Sequence, residues 1–105
     1  MKIRLSQLVS TLSVAAVLFG SSVAAQAYDG QKYEKSAQIK LHEARKIALN
    51  AHSGKIIAEE LEKEKGGSGL RYSFDIRRGK VTQEVGVDAA TGKVLENKAE
   101  GPNPD

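Results

Sequence analysis

Leu70-Arg71-Tyr72-Ser73-Phe74-Asp75-Ile76-Arg77 is the stretch that decides the fold. Apolar and polar residues alternate strictly along it, the period of a strand with one buried face and one wet face. Tyr72 and Phe74 carry the main aromatic mass of a chain that is 40% hydrophobic but only 5% aromatic. The core centred on this strand is therefore small and mostly aliphatic.

Downstream, Arg78-Gly79-Lys80 makes a tight turn. Val81, Val85 and Val87 then line one face with Gln83 between them, and Thr82, Glu84 and Gly86 lie opposite. Asp88-Ala89-Ala90-Thr91-Gly92 is a second turn, in which Asp88 can cap loop amides and Gly92 can take a positive φ. Lys93 to Glu96 reads as a short closing strand, and Asn97 to Asp105, with Pro102 and Pro104, as a frayed tail. Upstream, Gly66-Gly67-Ser68-Gly69 is a flexible hairpin turn. Before it, Lys55 to Lys63 is a strand carrying Ile56-Ile57-Ala58 and Leu61 among glutamates. Placing Ile57 and Leu61 on one face turns Glu59 inward, so a bulge, or a strand end that lets Glu59 reach water, is expected.

Further upstream the period becomes helical. Leu41, Ala44, Ala48 and Ala51 recur at spacings of three, four and three, with Ile47 on the same stripe. The helix should end near His52-Ser53, with Gly54 as a left-handed stop, and Lys40 is a poor N-cap residue. Its alanines allow close approach to a sheet. Residues 28–39 have no sustained period and read as a flexible lead-in, with Tyr28 and Tyr33 as solvated residues. Short loops throughout imply an α+β fold: one amphipathic helix on a three- to four-stranded antiparallel meander.

The first residues read differently. Lys2 and Arg4, the apolar stretch through Val14 to Phe19, the break at Gly20-Ser21-Ser22 and the small-x-small Ala25-Gln26-Ala27 match a bacterial secretory signal peptide, with cleavage after Ala27. An uninterrupted apolar core of about six residues is too short to span a bilayer, so no membrane insertion is expected after the signal is removed. Removing 1–27 takes two of the three net positive charges, Lys2 and Arg4, away from the +3 chain. The basic balance then says little about nucleic acid.

Several chemistries are excluded or unsupported. Without cysteine there is no disulfide scaffold, thiol nucleophile or cysteine zinc site. His42 and His52, ten residues and about 280° of rotation apart along the helix, read as two solvated histidines, not as a shared metal site. Glu59, Glu60, Glu62 and Glu64 alternate along a strand and do not converge, so they read as a solvated edge that resists mispairing. Arg71, Arg77, Arg78 and Lys80 gather at the second hairpin, where Asp75 is expected to pair with an arginine. The patch would suit an acidic lipid or polymer but reads as a solvated face, and it lacks the interleaved aromatics of a nucleic-acid surface. The glycine-rich turn joins strands and is no phosphate loop, and no serine sits in a nucleophile motif. No catalytic, cofactor-binding or metal-ligating residue is assigned, and no cofactor.

Leu41 to Leu49, Gly54-Lys55-Ile56-Ile57, Tyr72 to Ile76 and Glu84 to Leu95 together resemble the PepSY domain, the module shared by propeptides of secreted thermolysin-like metallopeptidases and by spore-germination proteins. The resemblance covers residues 40–97 and leaves 98–105 as a disordered tail. Lys40, Glu59 and Gln83 depart from the family pattern, and they question local packing. The resemblance implies a non-enzymatic periplasmic or secreted protein that binds and inhibits a peptidase or another envelope protein in trans. The alternative is a periplasmic sensor or a ligand- or metal-binding module linked to envelope signalling.

Overall fold

The computed structural model describes residues 27–101. The signal-peptide reading of residues 1–27 lies, all but Ala27, outside the described residues, as does the Pro-containing end of the tail. A 3-10 helix (Gln31–Ser36) leads into α1 (Leu41–Ala51), followed by β1 (Lys55–Lys63), β2 (Leu70–Arg78), β3 (Val81–Asp88) and β4 (Val94–Ala99). The four strands form one sheet in the order β1-β2-β3-β4, every pairing antiparallel. That is the α+β meander the alternation and short turns imply.

Register follows from the alternation in β2. Tyr72 faces Leu61 and Val87, Phe74 faces Glu59 and Val85, and Ile76 faces Ile56 and Gln83. These positions share the face that α1 covers. Tyr72, Phe74, Ile76, Val85 and Val87 are wholly buried there with Ala44 and Ala48 of the helix. α1 lies over β2, β3 and β4, while the 3-10 helix lies against β1. Alanines at 44 and 48 let the helix backbone come close to a sheet whose bulk comes from Tyr72 and Phe74.

α1 departs from the expected stripe at its end. Ala51 is exposed and Leu49 packs on the core instead. Ala51 is the last helical residue, in the turn that leads away towards β1. Lys40 makes no side-chain cap, as its chemistry implies. Gly54 is not a left-handed helix stop. The cap is His52, in extended conformation, and at Gly54 (φ +152°) an added Cβ would lie 2.6 Å from the Arg77 carbonyl oxygen. The glycine serves the close approach of the chain to β2.

The bulge in β1 is present, between Ile56 and Ala58. It shifts the facing by one residue. Ile56, not Ile57, shares the covered face with Leu61, and Ile57 is 47% exposed. Glu59 stays on the covered face and does not turn to water. β4 runs on to Ala99, past the expected end at Glu96, and the Glu100 N–H donates to the Thr82 carbonyl at 2.9 Å. A second irregularity, between Gly86 and Val87, accommodates the residue between Val94 and Glu96.

Candidate functional site

Alternation sends the residues between the core positions to the opposite face, which no helix among the described residues covers. Ala58, Glu60 and Glu62 of β1, Ser73 and Asp75 of β2, Glu84 and Gly86 of β3, and Glu96 and Lys98 of β4 stand there in cross-strand rows. A shallow depression of about 150 Å³ lies over Ala58 and Ser73, rimmed by Asp29, Glu60, Asp75 and Glu84. Oxygens of Asp75, Glu84 and Glu100 lie within 4.8 Å of one another, the only such convergence of potential metal ligands among the described residues. Oxygen donors of this kind suit a hard divalent cation, and they equally impose like-charge repulsion on the face.

The electrostatics reflect that crowding. Burial first, then the charges of Glu96, Asp75 and Glu100, push the Glu84 carboxyl above the usual range. At Glu100 the Asp75 charge is the main cause of an upward shift. A hydrogen bond shared with Glu62, then burial and the Glu62 charge, raise Glu60. Asp75 has no arginine partner among the described ion pairs. Its same-face neighbours Ser73 and Arg77 are two residues away along the strand, whereas its nearest cross-strand neighbours are Ala58 and Glu84.

The arginines do not form one patch. Arg71 lies towards the opposite end of β2 from Arg77 and Arg78. Its Nη1 reaches Glu96 at 3.4 Å, its Nη2 donates to the Lys65 carbonyl at 2.9 Å, and its side chain is only 12% exposed. Arg78 donates to the Ser53 hydroxyl at 2.7 Å. His42 is exposed, His52 is half-buried at the end of α1, and neither joins a cluster of acidic residues. The β1 glutamates are divided between the two faces by the bulge and the alternation.

Both polar intrusions on the covered face have partners. Arg45 of α1 donates to both Glu59 oxygens, at 2.9 and 2.7 Å. Gln83 donates to the Asn97 side-chain oxygen at 2.7 Å. Neither partner is legible from spacing, because each lies on a different element.

Asp88 caps its turn as its position implies, and it does more. Its Oδ1 accepts the Ala90 and Thr91 N–H groups at 2.8 and 3.3 Å and the Ser68 hydroxyl at 2.7 Å. Its Oδ2 accepts the Ser68 N–H at 2.7 Å. Asp88 is 2% exposed. Burial raises its carboxyl, but the bonds from Ala90, Ser68 and Thr91 together outweigh burial and hold it below the usual range. The glycine-rich turn is thus tied to the β3–β4 turn. At Gly67 (φ +53°) an added Cβ would overlap the Asp88 carboxylate.

The sheet has two edges. Among the described residues β4, Val94–Ala99, pairs only with β3. At β1 an open groove of about 330 Å³ runs between Arg45 and Ile56-Ile57-Ala58, and further along Asp29 makes a parallel bridge with Glu60.

Residues 38–98 match the family model for the peptidase propeptide and YPEB domain, PepSY. The chain belongs to the PepSY family. The match starts just before α1 and runs almost to the end of β4, so it takes in the helix and the whole sheet. PepSY domains are typically non-catalytic modules of regulatory or propeptide type, extracellular or periplasmic, and suggest protein–protein interaction. No curated protein and no solved structure matches the chain. Among the described residues no helix is long and apolar enough to cross a membrane.

Proposed function

We propose that this protein is an exported PepSY module that binds a peptidase, or another protein of the cell envelope, and restrains it in trans with no chemistry of its own. The observation that carries this reading is the extent of the PepSY match, which takes in α1 and all four strands. The signal-like start of the sequence supports export. Binding proceeds by strand addition: an extended segment of the partner pairs with the β4 edge, and main-chain hydrogen bonds supply affinity. In a peptidase complex that edge lies in the substrate cleft.

The test is inhibition of envelope metallopeptidases by the purified protein, with pull-down from envelope extract. Inhibition of one peptidase, with that peptidase retained on the protein, is the expected result. Absence of both inhibition and a retained partner rejects the reading. The rival is a cation-sensing module, for which the convergence of Asp75, Glu84 and Glu100 speaks. Calcium, copper and zinc titrations followed by NMR separate the two, since shifts confined to these residues at micromolar metal favour the sensor.

A further inference from the structure

The two edges differ in what already lies against them. Among the described residues β4 has no neighbour beyond it. Against β1, the described chain lays its own lead-in, a single bridged residue, Asp29, followed by the turn at Gly30 and the 3-10 helix. The Leu61 N–H donates to the Asp29 carbonyl at 2.9 Å, in a parallel bridge between Asp29 and Glu60. The approach is too close for any side chain at position 30. Gly30 sits at φ +84°, and an added Cβ would overlap the Leu61 carbonyl.

The segment is folded by its own hydrogen bonds and tied to the sheet at Asp29, at Tyr33 and, past its end, at Gln38 and Ile39. The Gln31 N–H donates to the Tyr28 carbonyl at 3.1 Å, and the Tyr33 N–H to the Gly30 carbonyl at 2.8 Å. The Tyr28 hydroxyl donates to Glu34 at 2.9 Å. The Tyr33 ring lies 5.0 Å from the Lys63 ammonium at the end of β1, a cation–π contact. Beyond the 3-10 helix, the Gln38 and Ile39 N–H groups donate to the Ala89 carbonyl at 2.9 and 2.8 Å, which anchors the far end to the β3–β4 turn. Tyr28 and Tyr33 are half-buried against the core, not solvated. Upstream of the bridge the bulge at Ile57 breaks the regular register an added strand would follow.

We infer that Tyr28–Ser36 is a strap that closes the β1 edge, so that strand addition occurs at β4 alone and each domain accepts one partner strand. The inference rests on the strand-addition reading for its consequence, but the strap itself is independent of any partner. A sheet open at both edges can pair head-to-tail with further copies, and folded proteins block one edge with a covering segment, a bulge or charges. β1 has all three: the strap, the bulge, and Glu59, Glu60 and Glu62.

The experiment compares the purified protein with Gly30→Val and with Tyr33→Ser. Amide hydrogen exchange reads the strap, and light scattering reads the oligomer. In the unmodified protein the Leu61 amide should be protected. In both variants it should exchange about tenfold faster or more, while Tyr72 and Val85 keep their protection, because a locally fastened segment opens without the sheet. Apparent mass should rise with concentration in both variants and stay constant in the unmodified protein. Fast Leu61 exchange in the unmodified protein overturns the strap whether or not the variants fold. So does unchanged exchange in both variants. A released strap with no association overturns the edge-closing role. Neither readout uses a peptidase, so failure of inhibition leaves the strap standing, and failure of the strap leaves inhibition to be judged by itself.

Discussion

The same four strands carry two faces of opposite character. Under α1, Tyr72, Phe74, Ile76, Val85 and Val87 are fully buried, and the polar residues that intrude, Glu59 and Gln83, each meet a partner on a neighbouring element. One residue along in each strand, Asp75 and Glu84 stand directly opposite each other, with Glu100 beside them and no cation paired to any of the three among the described residues. The covered face is arranged for burial and satisfies the polar groups that stray into it. The open face carries unmatched charge, and the raised Glu84 and Glu100 carboxyls register its repulsion. The apolar burial thus lies on one side of the sheet, and the charge on the other.

Substitutions can break or sharpen that contrast. The largest effect is expected from Phe74→Ala, which removes a wholly buried ring from the centre of the covered face. It should cost about 3–5 kcal/mol, read as a lower urea midpoint. Asp88→Asn should cost about 1–3 kcal/mol, because the loop amides and the Ser68 hydroxyl lose a charged acceptor. This substitution also has a pH signature. The Asp88 carboxyl is held low in the folded state, so its contribution is present above the unfolded-state value and lost as pH falls through the folded one. Asp88→Asn should therefore flatten the acid limb of the stability curve.

Arg45→Met tests whether the covered face needs its charge partner. Glu59 would be left on that face without one, and the expected cost is about 1 kcal/mol at most, given the exposure of Arg45. A double-mutant cycle with Glu59→Gln measures the coupling. The smallest effect, of opposite sign, is expected on the open face. Glu84→Gln removes a like charge opposite Asp75 and should stabilise by a few tenths of a kcal/mol at neutral pH. The Glu84 carboxyl is raised in the folded state, so its contribution is present below the unfolded-state value and is lost as pH rises through the folded one. The gain from Glu84→Gln should accordingly vanish in acid. Equal gains at pH 4 and pH 7 would show that the carboxylates do not repel.

Much of the covered face is legible in the order of residues. Alternation from Leu70 to Arg77 identifies β2 and its buried side, and the limits of β1 follow from its flanking glycines. Asp88 is recognisable as a turn cap because the donors at Ala90 and Thr91 are local. Its bonds to Ser68 are not, since Ser68 lies across β2 in sequence. The same limit explains why the expected arginine partner of Asp75 does not materialise. Neighbours along one strand face are two residues apart, whereas cross-strand neighbours lie closer, and which residues those are depends on register. The stretch 28–39 shows the limit most fully. It has no hydrophobic period, yet it carries a 3-10 helix and the bridge at Asp29, because its fastening is to β1 and to Ala89, far along the chain.

Periodicity and local turn chemistry therefore suffice for the class of fold and the burial of Tyr72 and Phe74, and the PepSY resemblance rests on motifs that stand in the sequence. They do not say which residue of β1 bulges, that Arg45 neutralises Glu59, that Asp75, Glu84 and Glu100 converge, or that one sheet edge is strapped while the other stays open. Each of these depends on pairing between segments distant in the chain, where register and packing, and not local propensity, set the neighbours.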